Sequence, residues 1–125
     1  MMRYQKLDAW KSGHDLVIAV LEGTEDYKGP EKRMVRRLGY LAIRAVGRVA
    51  FGKGTGNRKM FLQALMRAQG YLSEFQYQLS LARAMDVLPE ALCTKCDALR
   101  GRATFYAQQL FEKVLSGPGR GRPRE

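Results

Sequence analysis

Apolar residues recur along this chain at intervals of three and four, the period of an α-helix, over nearly its whole length. The first such segment runs from about Leu7 to Glu22. Leu7, Trp10, His14, Val17, Ile18 and Leu21 share one face and predict its core side, while Leu16 and Val20 lie opposite, so the helix is apolar on two sides. Gly23 and Thr24 end it, and a polar loop follows. Pro30 stands where a first-turn proline belongs, and Glu31 suits the positive end of a helix. This second helix continues to about Phe51, with Val35, Leu38, Ala42, Ala45 and Val49 as its core stripe. The glycine-rich run Gly52-Lys53-Gly54-Thr55-Gly56 predicts a break, and Asn57 an N-cap. The third helix spans about Arg58 to Met85, with Phe61, Leu65, Ala68, Leu72, Phe75, Leu79 and Ala82 as a near-heptad seam. Pro89 or Glu90 opens the fourth, where Leu92, Cys96, Leu99, Ala103, Tyr106, Leu110 and Val114 form the stripe. Only Val17 to Val20 looks strand-like, and it lies inside a helical period. Four amphipathic helices with short connections predict an all-α fold, an antiparallel up-down-up-down four-helix bundle over residues 1–116. The Gly/Pro/Arg-rich residues 117–125 are expected to be disordered.

Composition narrows the class. A chain of 125 residues holds one core, not two. Two cysteines exclude a disulfide framework and suit a reducing, cytoplasmic setting. No apolar run approaches the ~18 residues of a membrane-crossing helix, and the N-terminus lacks the apolar stretch of a signal peptide.

Charge changes the picture more. The formal net charge is +10, and its placement is lopsided. Residues 28–67 hold eleven basic residues and one acid, Glu31, while the rest of the chain holds eleven of each. One segment therefore carries the whole excess, which points to a polyanionic partner. On a helical wheel Arg33, Arg37, Arg44 and Arg48 fall within about a 60° arc opposite the core stripe, bordered by Arg36 and accompanied by Tyr40 and Phe51. Lys53, Arg58, Lys59 and Arg67 extend the patch into the third helix. Arginine forks bind phosphate bidentately, and planar rings stack on unpaired bases. The bland alternative is a solvated helix face, but such faces mix both signs, and no acid occurs between Lys32 and Ser73. Nucleic acid is the expected partner, RNA foremost, with an acidic protein as the alternative. A membrane-surface helix would set bulky apolar residues opposite the charges, where this one has Ala42 and Ala45.

The remaining candidate chemistry is thin. The run Gly52 to Gly56 lacks phosphate-loop spacing and follows a helix. Cys93-Thr94-Lys95-Cys96 has neither a second pair nor a nearby histidine for zinc, and Cys96 falls on the core stripe, so both read as structural thiols. His14 is expected on the core side of the first helix, and Trp10 as a core or interface anchor. Glu74 is a candidate partner for an arginine of a neighbouring subunit. No carboxylate pair, triad or metal cluster supports catalysis, so no enzyme, metal or cofactor is expected.

Several segments carry a resemblance. Tyr4 to Trp10, Leu38 to Gly54 with Val49-Ala50-Phe51-Gly52-Lys53-Gly54, Phe61, and Gly70 to Leu79 resemble the four-helix-bundle proteins encoded in bacterial ribosomal RNA intervening sequences. That superfamily includes the accessory variability determinant (Avd) proteins of diversity-generating retroelements. The similarity covers about Tyr4 to Leu115. It implies a ring-like homopentamer and, in the retroelement branch, a basic surface that binds nucleic acid and a partner reverse transcriptase. Val46, Arg48, Arg44 and Phe51 stand where the common intervening-sequence pattern has proline, asparagine, a small polar residue and glutamate. These departures straighten the second helix and add positive charge. The expected function is a non-enzymatic accessory subunit of a reverse-transcriptase ribonucleoprotein. The alternatives are an RNA-binding protein without a polymerase partner and a scaffold docking an acidic protein. In an assembly, Ala9, Leu16 and Val20 of the first helix and Met66, Tyr77 and Leu81 of the third are expected to bury between subunits.

Overall fold

The computed structural model describes residues 3–117. A short 3-10 turn, Arg3–Lys6, leads into α1 (Asp8–Gly23), α2 (Glu31–Thr55), α3 (Arg58–Ala84) and α4 (Glu90–Leu115). Among the described residues there is no strand. Of the expected disordered tail only Gly117 falls within them.

The helices form a four-helix bundle in which α1 packs on α2 and α4, and α3 on the same two. Neighbours run antiparallel, as the contacts across each seam require. Arg37 meets Glu74 and Arg44 meets Tyr71 across α2 and α3. Gly13 lies against Val46 across α1 and α2, and Gly39 against Leu21. Arg83 meets Glu90 at one end of α3 and α4, and Arg58 reaches Val114 at the other.

The core stripes of α2 and α3 sit as the sequence pattern predicts, whereas α4 buries Cys93, Cys96, Ala103 and Ala107 and leaves Leu92, Leu99, Tyr106, Leu110 and Val114 of the expected stripe partly buried at the core's edge. Leu38, Leu41, Leu65 and Phe75 are wholly buried, with Ala42, Ala45, Ala68 and Ala82 between them. Small residues at these positions let the helix axes approach closely.

Helix α1 turns the other way. Its buried residues are Ala9, Ser12, Gly13, Leu16, Ala19 and Val20. Ile18 and Leu21 remain 39% and 45% exposed, and His14 is exposed rather than in the core. Its imidazole stacks on the Trp10 ring, with centroids 4.7 Å apart, and Trp10 in turn meets Tyr4. Packing decides the matter. A Cβ on Gly13 would stand 2.7 Å from Val46 Cγ2, an approach that only the small-residue side of α1 permits. Ala9, Leu16 and Val20, expected between subunits, are core residues of the single chain.

The glycine run does not break α2 at Gly52. The helix continues through it to Thr55 and is closed by Gly56 at φ 65°. Gly52 is buried, and a Cβ there would fall 2.8 Å from both Ala64 Cβ and Phe61 Cδ1, so α2 and α3 approach closely at this point. Asn57 is the predicted N-cap, its Oδ1 accepting from Met60 N–H at 2.9 Å. The end of α3 is a Schellman motif. Asp86 takes φ 59°, with Val87 N–H on Ala82 O at 2.9 Å and Asp86 N–H on Arg83 O at 3.1 Å. At the same end of the bundle Tyr27 Oη donates to Val87 O at 2.8 Å, tying the first loop to the last.

Among the described residues, no helix is long and apolar enough to cross a membrane.

Candidate nucleic-acid interface

The basic residues of α2 face away from the buried stripe because their positions lie half a helical turn from Val35, Leu38, Ala42 and Val49. Arg33, Arg36, Arg37 and Arg44 are exposed and Arg48 is half-buried along its stem. The antiparallel seam with α3 then sets specific partners opposite them. Near the N-terminal end of α2, Arg37 forms an ion pair with Glu74 at 3.1 Å. Glu74 thus meets an arginine of its own chain, where the sequence pointed to one of a neighbouring subunit. Two turns further, Arg44 Nη2 donates to Tyr71 Oη at 3.3 Å. The same register places Arg67 across from Arg48, with no carboxylate between them among the described residues.

Rings alternate with these cations. The Arg37 and Arg44 guanidiniums lie 5.3 and 5.9 Å from the Tyr40 ring centroid. Arg44 also stands 5.5 Å from the Tyr71 ring. Arg48 stacks 4.7 Å from the Phe51 centroid, and Lys53 reaches to 6.0 Å from Phe61. Each ring's negative face draws a cation toward it, so rings and cations are gathered on one side of the seam.

Tyr71 is the residue that sequence reasoning passed over as a member of the site. It lies in a segment noted for other reasons, one helical turn after Arg67. That i,i+4 relation is a signal, but its contact with Arg44 needs the α2–α3 register. The hydrogen bond from Arg44 is the main influence lowering the Tyr71 pKa from the ordinary tyrosine value. The charges of Arg44, Arg48 and Arg67 act the same way, and partial burial opposes them. The phenol is thus held chiefly by its hydrogen bond from Arg44, with the neighbouring cations adding to the same direction.

Not every predicted residue joins the row. Arg58 is turned to the end of α4, where its Nε and Nη2 donate to Val114 O at 3.2 Å and Leu115 O at 2.7 Å. There it caps the last carbonyls of α4, sharing Val114 O with the Gly117 N–H. Lys59 and Arg67 are exposed, and Lys53 is half-buried with its Nζ 6.0 Å from the Phe61 ring centroid.

The thiols lie elsewhere. Cys93 and Cys96 are buried in α4, and burial pushes the Cys96 thiol up to about 11, with Cys93 adding to the effect. A protonated, enclosed thiol is a poor nucleophile and a poor ligand. Among the described residues no group of histidine, cysteine or carboxylate side chains could hold a metal ion.

No family model matches this chain, and neither does any curated protein.

Proposed function

We propose that this protein is a non-enzymatic, homo-oligomeric nucleic-acid-binding protein, an accessory subunit of a reverse-transcriptase ribonucleoprotein of the retroelement type. The observation that carries the proposal is the α2–α3 seam. Arg44 donates to Tyr71 Oη, the charges of Arg48 and Arg67 act on the same phenol, and none of the three forms an ion pair among the described residues. Like charges held this close repel, and a bound phosphate relieves the repulsion. The polymerase partner and the ring-like pentamer rest on the resemblance of Tyr4 to Leu115 alone. Self-association has a further support in the side chains that α1 and α2 leave exposed, Ile18, Leu21 and Ile43, beside a shallow cleft floored by Val35 and Gly39. In an assembly each copy adds a row of cations, so a strand that one row holds weakly is held by several at once. The setting proposed is the cytoplasm, with RNA as the foremost ligand.

The test is RNA binding as a function of salt for the wild type and for Arg44→Glu/Arg48→Glu. The wild type is expected to lose affinity steeply, roughly 0.7 to 0.9 in log K per log salt for each phosphate neutralised. The double variant is expected to bind at least tenfold more weakly with a shallower slope, its melting temperature unchanged. Equal binding by both proteins would leave the row without a nucleic-acid role, and capture of an acidic protein by the same residues would make it a docking surface. Copurification with a reverse transcriptase tests the polymerase partner separately.

A further inference from the structure

Resting on the interface just described, we propose that the seam is built for single strands, with Tyr40 and Phe51 as stacking platforms for unpaired bases on either side of a phosphate-binding centre at Arg44 and Arg48.

Tyr40 and Phe51 are eleven positions apart on α2, about three turns. They therefore point within about 20° of each other and stand roughly 16 Å apart along the axis. Arg44 and Arg48 lie between them on the same side. Both rings are large, apolar and left open, Tyr40 at 48% and Phe51 at 47% exposure. Tyr71 differs from them: its ring packs against the core and its hydroxyl is engaged by Arg44. It positions the guanidinium and is partly buried where Tyr40 and Phe51 are exposed.

The guanidiniums lying over Tyr40 and Phe51 show that a side chain can reach these ring faces. When Arg44 and Arg48 turn to phosphates, the ring faces become available to bases. A single strand lying along α2 satisfies both demands, because its backbone and bases are presented side by side. A duplex does not. Its base faces are closed by stacking on each other, and its grooves show only base edges to a ring standing one side chain above a helix. Charge alone predicts the opposite preference, since a duplex carries the denser phosphate array. Strand preference therefore separates a stacking interface from a merely cationic one.

The experiment measures affinity of the full chain, at fixed salt, for a labelled uniform-pyrimidine strand supplied as RNA and as DNA, and for a duplex of equal length. Single strands are expected to bind more tightly than the duplex. The RNA and DNA arms show which strand the centre favours. Tyr40→Leu and Phe51→Leu are each expected to weaken single-strand binding about tenfold, with duplex affinity and salt slope unchanged. Phe51→Tyr, which keeps a ring, is expected to bind as the wild type does. Both sites are open to solvent, so circular dichroism melting is expected to be unaltered. Duplex binding at least as tight as single-strand binding, or leucine variants that lose nothing or lose both ligands equally, would overturn the stacking role. In that case loss of duplex binding in Arg44→Glu would still leave the basic row as a phosphate surface. A wild type that binds no oligonucleotide in dilute buffer removes both the stacking role and the interface beneath it.

Discussion

Glu74 closes on Arg37 at 3.1 Å, and it is the one carboxylate among the described residues that reaches the arginine row of α2. Both side chains are about half exposed, so the pair adds little to stability. Its consequence lies in competition, because Glu74 occupies a guanidinium that would otherwise be free for phosphate. Glu74→Gln is expected to steepen the salt dependence of RNA binding by about one phosphate's worth, roughly 0.7 to 0.9 in slope, and to raise affinity at low salt. Chemical denaturation should show a stability change within about 0.5 kcal/mol. A variant whose salt slope is unchanged would mean that Arg37 takes no part.

The two faces of α1 make a direct test of the packing. Leu16 has no exposed surface, whereas Leu21 is 45% exposed. Leu16→Ala is expected to cost about 2 to 5 kcal/mol through lost burial and the cavity left behind. Leu21→Ala is expected to cost no more than about 1 kcal/mol in the monomer. Urea midpoints for the two variants compare them, and a reversed order would put the other face of α1 in the core.

Two glycines of α2 should respond in opposite directions. Nothing lies within 4 Å of the Cβ position at Gly47, while a Cβ at Gly52 would crowd Ala64 and the Phe61 ring, each at 2.8 Å. Gly47→Ala is expected to stabilise by about 0.5 to 1 kcal/mol, since alanine is the better helix former. Gly52→Ala is expected to destabilise by about 1 to 3 kcal/mol, because the α2–α3 seam must open. Melting temperatures followed at a helical band decide both.

The Tyr71 phenol gives a pH signature. Its folded-state pKa lies below its unfolded value, so the native state favours the phenolate. The stability this supplies is absent at neutral pH. It appears as pH rises through the folded pKa, and is complete above the unfolded value near 10. Arg44→Gln removes the largest cause and is expected to move Tyr71 ionisation upward toward the ordinary tyrosine value. Phenolate absorbance, with Tyr71→Phe to assign the titration, measures the shift. An unchanged titration would show that the Arg44–Tyr71 hydrogen bond does not persist in solution.

Much of the fold was legible along the chain. The stripes of α2 and α3 repeat at three and four residues with polar residues opposite, so burial has one choice of side. Asn57 and Pro30 mark helix starts by chemistry local to a few residues. The basic row was legible for the same reason, since arginines opposite a core stripe have nowhere to point but outward. Tyr71 and the role of Arg58 were not, because each depends on what another helix sets beside it.

Periodicity and charge placement thus determined the four helices, the buried sides of α2 and α3 and the side on which the cations stand, because these follow from where each residue falls around its own helix. Tertiary packing alone decided the rest. It chose the small-residue side of α1, leaving Ile18 and Leu21 exposed and Trp10 at the core's edge, because Gly13 permits contact with Val46 that a wider face forbids. It carried α2 through Gly52 to Thr55, because a residue without Cβ fits against Ala64 and Phe61. It also gave Arg44 its phenol and Arg37 its carboxylate, through a register between α2 and α3 that neither helix encodes by itself.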